Sequence, residues 1–164
     1  MSDLRNFIEE QEARGLVERV ELPLDIDGEA SRELARRERA GKIVILTKLR
    51  WTETPVVSGV VGSRELMAAA MGTTPDKAVR HLARAMELTG PVHFVSEGPV
   101  LEHSFEPDHD DDLRQVVPLL RYDPGSELPY TSASIIVARS REHGVNLSFH
   151  RMMYLGGRRF TVRV

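Results

Sequence analysis

The 164-residue chain is predicted to be an α/β protein, with an N-terminal α/β domain at residues 1–95 followed by the first strands of an all-β domain. Three observations support this prediction. Short β-branched runs alternate with amphipathic helical segments in the first part. Proline then recurs and helical periodicity disappears, which indicates an interdomain segment at residues 96–130. Three strand-like segments joined by turn signals occupy residues 131–164.

The first helix and strand have clear local signals. SDLRNFIEEQEARG places Leu4, Phe7 and Ile8 on one helical face, and Ser2 or Asp3 can cap its start. LVERVELPL then alternates apolar and charged residues, as a half-buried strand does. A second helix is predicted at residues 29–40, rich in Arg and Glu, and the β-branched segments KIVILTKL and TPVVSGVVG predict two further strands.

Two more helices are predicted before the proline-rich segment. In SRELMAAAMG, Ser63 can serve as the N-cap. GVVGSRE, just before this helix, lacks the spacing of phosphate-binding loops, so a tight turn capped by Ser63 is the better interpretation. In TTPDKAVRHLARAMELTG we expect Thr74 to cap the helix, Pro75 to occupy its first turn and Gly90 to end it.

The C-terminal segments SASIIVAR, VNLSFHRMMYL and RRFTVRV predict three strands, with SREHG and GG as hairpin turns. Three strands rarely cover both faces of a sheet, and the sequence ends at Val164 within the last of them. The C-terminal third is therefore predicted to hold the opening strands of an all-β domain that is cut short.

Composition excludes several classes of protein. Without cysteine the chain forms no disulfide and has no thiolate chemistry, and no apolar run approaches the roughly 20 residues that cross a bilayer. The acidic, amphipathic N-terminus is not a secretory signal, so a cytoplasmic location is expected. A net charge of −3 argues against nucleic-acid binding.

Two polar features favour a structural interpretation. EPDHDDD, at residues 106–112, is acidic enough to bind Ca²⁺ or Mg²⁺ but lacks the spacing and glycine of a calcium loop, so a solvated loop is favoured. The six histidines show no metal-binding spacing, and His150 is the candidate exception to a surface or packing role.

VNLSFHRM is the most unusual stretch. Along a strand, one face carries Asn146, Ser148 and His150, and the other carries Leu147, Phe149 and Arg151. If the polar face is buried, its groups need a ligand, an ion or other polar partners. If the strand lies at a sheet edge, the polar face meets water, and the residues alone favour neither alternative.

Four stretches, taken together, resemble one family, the UbiD-type decarboxylases. LRNFIEEQEARGLVERV is similar to the family's first helix and strand, and PVVSGVVGSRELMAAAMG to its strand, turn and helix. DDLRQVVPLLRYDPGSELPYTSASIIVAR resembles the interdomain segment and first cofactor-domain strand, and GVNLSFHRMMYLGGRRFTVRV the cofactor-binding hairpin. The resemblance implies an N-terminal α/β domain followed by the first strands of a split β-barrel that binds flavin.

The resemblance also implies residue roles. Asn146 matches a ligand of the divalent metal, Mn²⁺ or Mg²⁺, and Arg151 matches a catalytic arginine that works beside two acids. Residues expected to contact prenylated FMN are Thr131, Ser132, Ser148, Phe149, His150, Arg151, Arg163 and Val164. K⁺ is a further candidate ion. Because Asn146 and Arg151 are five residues apart, serving one cofactor predicts a bulge or twist between them.

The implied reaction is decarboxylation of an aromatic or α,β-unsaturated acid. The resemblance places the second metal ligand and the acidic pair beyond Val164, so this chain would need a second UbiD-like polypeptide, in an oligomer, to be active. A non-catalytic flavin-binding or regulatory module and an artificial fragment of a larger enzyme are the alternatives.

Overall fold

The computed structural model describes residues 3–88, 90, 93–104, 106, 112–122 and 125–162. The described residues form two three-stranded β-sheets and four α-helices, and all four helices precede the second sheet in the sequence. The elements are α1 (Leu4–Ala13), β1 (Val17–Val20), α2 (Glu29–Glu38), β2 (Ile43–Leu46), β3 (Val56–Ser58), α3 (Arg64–Ala70), α4 (Ala78–Glu87), β4 (Tyr130–Ser140), β5 (Gly144–Gly156) and β6 (Arg159–Val162). Short 3-10 helices lie at Pro99–Leu101 and Leu113–Gln115.

The first sheet has the order β1-β2-β3, in which β1 and β2 are parallel and β3 is antiparallel to β2. Helix α2 makes the crossover that a parallel pair requires. All four residues of β2 are buried, as its continuous apolar sequence predicts for a central strand covered on both faces.

The core lies on both sides of β2, because alternate residues of a strand point to opposite faces. On one side, Val44 and Leu46 pack with Val20 of β1 and with Ala30 and Leu34 of α2. Ile26, just before α2, and Leu120 complete this cluster. Ile43 and Ile45 pack on the other side with residues of α1 and α3: Phe7, Ile8 and Leu66. Burying each large side chain contributes about 1.5–3 kcal/mol, so β2 is the main stabilising element of this half.

Two of the predicted helix caps are confirmed and one is wrong. The Asp3 carboxylate accepts the Asn6 N–H at 2.9 Å, and the Ser63 hydroxyl accepts the Leu66 N–H at 3.1 Å. Thr74 does not cap α4, which begins at Ala78. Instead, the Lys77 N–H donates to the Thr74 carbonyl at 3.0 Å and closes a turn. Proline suits the second position of a turn as well as the first turn of a helix, so the same signal fitted both.

Glu33 ties α2 to its own last turn. Its carboxylate accepts from Arg36 at 2.7 Å and from Arg37 at 2.5 Å, and Arg37 also contacts Glu18 on β1. The hydrogen bond from Arg36, which has the largest effect, and the one from Arg37 lower the pKa of Glu33 from 4.5 to about 2. The Glu33 side chain is only 17% exposed, but Arg36 is 64% exposed and solvent weakens that pair.

Replacing Glu33 should therefore change how stability depends on pH. We expect Glu33→Gln to lower the free energy of unfolding at pH 7 by about 1 kcal/mol. Because the folded-state pKa is depressed, this contribution is present above pH 4.5 and is lost as the pH falls towards 2. Urea unfolding at pH 7, 4.5 and 3 should show the two proteins converging at low pH. Glu9→Gln, on the exposed side of α1, is the control.

The second sheet is an antiparallel meander in the order β4-β5-β6, which confirms the three predicted strands and both hairpins. Its tightest turn uses Gly156 and Gly157, which have φ of 99° and 60°. Non-glycine residues rarely adopt this left-handed conformation, so the GG pair is required at the β5–β6 turn.

Residues 112–122 form hydrogen bonds with the α2 region on one side and with the β5–β6 turn on the other. On the first side, the Arg121 N–H donates to the Ile26 carbonyl at 3.1 Å and the Ser31 hydroxyl donates to the Arg121 carbonyl at 2.6 Å. On the second side, the Leu113 N–H donates to the Gly157 carbonyl at 3.1 Å. These bonds hold the second sheet against residues 112–122.

Within the described ranges, no helix is both long and apolar enough to cross a membrane. Most of EPDHDDD (residues 107–111), Ser2, Arg163 and Val164 lie outside the described residues.

Candidate functional site

The polar row, defined as Asn146, Ser148 and His150, lies on one face of β5 as parity predicts. Direct pairing places Ala138, Ile136 and Ser134 of β4 on the same face, opposite these three residues in that order. Ser148 and His150 are half-buried, whereas Asn146 is exposed. The row is thus covered at its C-terminal end and open at its N-terminal end, so both alternatives left by the sequence apply in part.

Hydroxyl groups of both β4 and β5 lie around the covered end of the row. The Ser148 hydroxyl lies 2.9 Å from Nε2 of His150. The Ser134 hydroxyl, beside His150 in the register, donates to the Thr131 hydroxyl at 2.5 Å. Ser134 was missed from the sequence, because Thr131 and Ser134 lie on opposite faces of a regular strand and only the change of register between them brings them to one face.

A cavity of about 300 Å³ lies between β4 and the interdomain segment. Its wall includes Thr131, Ser132 and Ser134 on one side and Tyr122 on the other. The Tyr122 ring lies 5.4 Å from that of Tyr130, and burial raises the pKa of Tyr122. The structure therefore brings the two predicted β4 residues into a concave site that is lined by hydroxyls and aromatic rings.

Arg151 and Phe149 lie on the opposite face of β5 from the polar row. The predicted bulge between Asn146 and Arg151 is wrong, because β5 pairs regularly with β4 from Asn146 to His150. The irregularity is on the partner strand instead, between Thr131 and Ser134, directly across from Arg151. Parity along β5 predicted a bulge or twist between Asn146 and Arg151, and it carries no information about an extra residue on β4.

The face that carries Arg151 also carries Arg139 and Thr161, and most of its other side chains are apolar and exposed. We define the apolar face as the exposed side chains Ile135, Val137, Val145, Leu147, Phe149 and Met153. Phe149 is 75% exposed. A continuous patch of six exposed apolar side chains on one face of a sheet is typical of an interaction site rather than of a solvated surface.

Tyr154 and Asp112 anchor the far end of β5 and were not predicted. The buried Tyr154 hydroxyl lies 2.5 Å from a carboxylate oxygen of Asp112 and 2.9 Å from the Gly157 carbonyl. Burial and the contact with Asp112 raise the pKa of Tyr154 to about 12, so it stays neutral. Only long-range packing joins these residues, which lie 42 positions apart.

The described residues fit the implied cofactors in part. Asn146 offers one amide oxygen, whereas Mg²⁺ and Mn²⁺ prefer several oxygen ligands. In the part of the chain that the structure describes, no group of three or more His, Cys, Asp or Glu residues could hold a metal ion. The hydroxyl-lined cavity and the covered end of the polar row fit a flavin better, because they combine hydrogen-bonding groups with aromatic surface.

Comparison with known proteins decides the family. Residues 8–86 match the 3-octaprenyl-4-hydroxybenzoate carboxy-lyase N-terminal domain, and residues 93–164 match the Rift-related domain of the same family, UbiD. The chain belongs to the UbiD family. The UbiD resemblance read from the four sequence stretches is confirmed, and so is the mixed helix-and-sheet fold.

Three similar UbiD-class proteins are about 30% identical to the chain over the residues that align. An anhydromevalonate phosphate decarboxylase from Methanothermobacter thermautotrophicus is 32% identical over 98% of the chain. The UbiD-class enzyme HmfF from Pelotomaculum thermopropionicum, in complex with FMN, is 30% identical over 98% of the chain with a TM-score of 0.84. An evolved dimeric form of HmfF, in complex with prenylated FMN, is 29% identical over all of it with a TM-score of 0.86.

The chain covers only part of each relative. It spans 36% of the decarboxylase, 36% of the HmfF chain and 38% of the dimeric HmfF chain. The matched part corresponds to the N-terminal portion of UbiD-class enzymes.

Proposed function

We propose that the chain is the N-terminal portion of a UbiD-like (de)carboxylase that acts on an aromatic or α,β-unsaturated carboxylic acid with prenylated FMN and a divalent metal. One observation carries the proposal: both UbiD domains match in order along nearly the whole chain. The flavin-bound HmfF structures, at 29–30% identity, support the choice of cofactor. The division into residues 1–95, 96–130 and 131–164 and a cytoplasmic location are part of the proposal.

In this proposal Arg151 binds the substrate carboxylate and holds the acids of the complementary part in position. A guanidinium suits this role because it can pair with a carboxylate through two hydrogen bonds. Asn146 supplies one oxygen ligand to Mn²⁺ or Mg²⁺. The residues proposed to line the flavin are Thr131, Ser132, Ser148, Phe149, His150, Arg163 and Val164. When bound, prenylated FMN supplies the electrophilic chemistry that weakens the bond to CO₂.

The complementary part is proposed to be a second UbiD-like polypeptide that completes the barrel. The support is the apolar face, which no described element covers and on which Arg151 lies between Phe149 and Met153. A polypeptide that packs there would shield the arginine from water and strengthen its interaction with a carboxylate. An interface of this kind resembles a domain core divided between two chains.

Helix α4 offers a second surface for the same polypeptide. Val79, Leu82 and Met86 recur at helical spacing on one side, and all three are exposed. Lys77, Arg80, His81 and Arg84 recur with the same spacing on the opposite side. Because the cations point away from the apolar stripe, the stripe fits an apolar protein surface better than an anionic membrane, where cations flank the apolar face.

The substrate proposal covers three classes of acid: a polyprenylated hydroxybenzoate, another aromatic acid, and a small isoprenoid-pathway acid. The family description and the decarboxylase at 32% identity name members of the first and last classes. A second candidate function is a non-catalytic flavin-binding or regulatory module. Its distinguishing sign would be a stable monomer or homodimer with no second polypeptide.

Native mass and absorbance of the protein purified from its own cells test the proposal. We expect a soluble complex well above the 18.4 kDa of this chain, with a second UbiD-like polypeptide and a flavin absorbance band. A species that contains this chain alone would reject the decarboxylase; a flavin band in it would support a flavin-binding module, and its absence a regulatory module. The polypeptides are identified by mass spectrometry, and K⁺ and Mn²⁺ by elemental analysis.

A further inference from the structure

Strand β4 carries an extra residue directly across from Arg151. Ser134 pairs with His150 and Thr131 pairs with Met152, so two residues of β4 face the single residue Arg151 of β5. This is the arrangement of a β-bulge, which bends the strand and redirects nearby side chains. The bulge therefore lies where it can determine the direction of the Arg151 side chain.

The hydroxyl groups of Thr131 and Ser134 form hydrogen bonds that stabilise this bulge. The Thr131 hydroxyl oxygen accepts the backbone N–H of Met152, the residue after Arg151, at 3.3 Å. The same oxygen accepts the Ser134 hydroxyl proton at 2.5 Å. The residues on either side of the bulge are thus tied to each other and to β5, and both side chains are half-buried, so water competes only weakly for these bonds.

Without these bonds, a regular register would compete with the bulged one. In a regular register that keeps Ser134 opposite His150, Thr131 would lie opposite Met153 instead of Met152. A shift of one residue transfers a side chain to the other face of the sheet. Thr131 and the neighbouring cavity wall would then change faces, and the backbone across from Arg151 would change direction.

We propose that Thr131 and Ser134 form a hydroxyl clasp that fixes the β4 bulge and thereby positions Arg151 for the substrate carboxylate. Ser134 is a positioning residue in this proposal, since it acts on Arg151 through Thr131 and the backbone. The inference rests on the proposed function only for the role of Arg151. The clasp itself is tested without activity.

Amide hydrogen exchange of the full chain tests the clasp. We expect Thr131→Val and Ser134→Ala to speed exchange of the Met152 amide roughly fivefold, the effect of losing one hydrogen bond. Thr131→Ser and Ser134→Thr keep a hydroxyl and should restore slow exchange. Thr161→Val removes an exposed hydroxyl from β6 of the same sheet and serves as the matched control. Unchanged Met152 exchange in both hydroxyl-free variants would overturn the clasp.

Turnover of the purified complex tests the positioning. We expect Ser134→Ala to lower kcat on the order of tenfold while flavin absorbance per complex is retained, with activity restored in Ser134→Thr. Full activity in Ser134→Ala beside an inactive Arg151→Ala would overturn the positioning role and leave the proposed function standing. Loss of flavin together with kcat would overturn it too, since Ser134 would then act on the cofactor. Full activity in both variants would reject the proposed role of Arg151.

Discussion

Arg151→Ala in the purified complex should abolish turnover and leave assembly intact. The arginine lies on the exposed face of β5, where its side chain contributes little to the packing of this chain. Its proposed partners are the substrate carboxylate and the acids of the complementary part. Loss of a paired, charge-assisted contact at the reacting group commonly lowers turnover by a factor on the order of 100–1,000. Turnover is measured as CO₂ release, and assembly as native mass.

The same sheet supplies a matched control for this prediction. Arg139 shares the face of Arg151, because it pairs with Val145, and it is also exposed. Arg139→Ala should therefore retain turnover. Arg151→Lys keeps the charge but not the two-bond geometry, so partial activity is expected. Unchanged turnover in Arg151→Ala would remove this residue from the catalytic site, whatever the result for Arg139.

Local signals were sufficient for much of the fold. The apolar run at β2, the Asp3 and Ser63 caps and the GG turn each depend on interactions within a few residues, and each is confirmed. The predicted start of α4 was wrong because its local signal was ambiguous: Thr74 and Pro75 fit a turn as well as a helix start. A local signal decides the structure only where one local structure satisfies it.

For the candidate site, the sequence could predict only which residues share a face of β5, because alternation along a strand gives no more than that. The alternation in VNLSFHRM correctly assigned residues to the two faces of β5, but the bulge predicted between Asn146 and Arg151 is absent from the regular pairing of Asn146 to His150. That the register changes at Thr131–Ser134 depends on the pairing of β4 with β5, which the sequence does not contain locally. Which face is covered depends on residues 112–122, held by contacts such as Tyr154–Asp112.

Asn146→Ala should lower the metal content and the flavin content of the complex together. In the proposed site the Asn146 amide would supply one oxygen ligand to a divalent ion, and the bound ion would in turn help to retain the flavin. Removal of one ligand from such a site weakens binding on the order of tenfold or more. Elemental analysis and flavin absorbance after gel filtration measure the two losses.

Two substitutions sharpen the Asn146 test. Asn146→Asp replaces the amide oxygen with a carboxylate oxygen, which hard cations also accept, so metal should be retained. Asn6→Ala changes the only other asparagine of the chain, on the exposed side of α1, and should alter neither content. Because Asn146 is exposed at the open end of the polar row, its replacement should not unfold β5. Retention of both metal and flavin in Asn146→Ala would exclude this residue from the metal site, and loss of flavin alone would assign it to the cofactor.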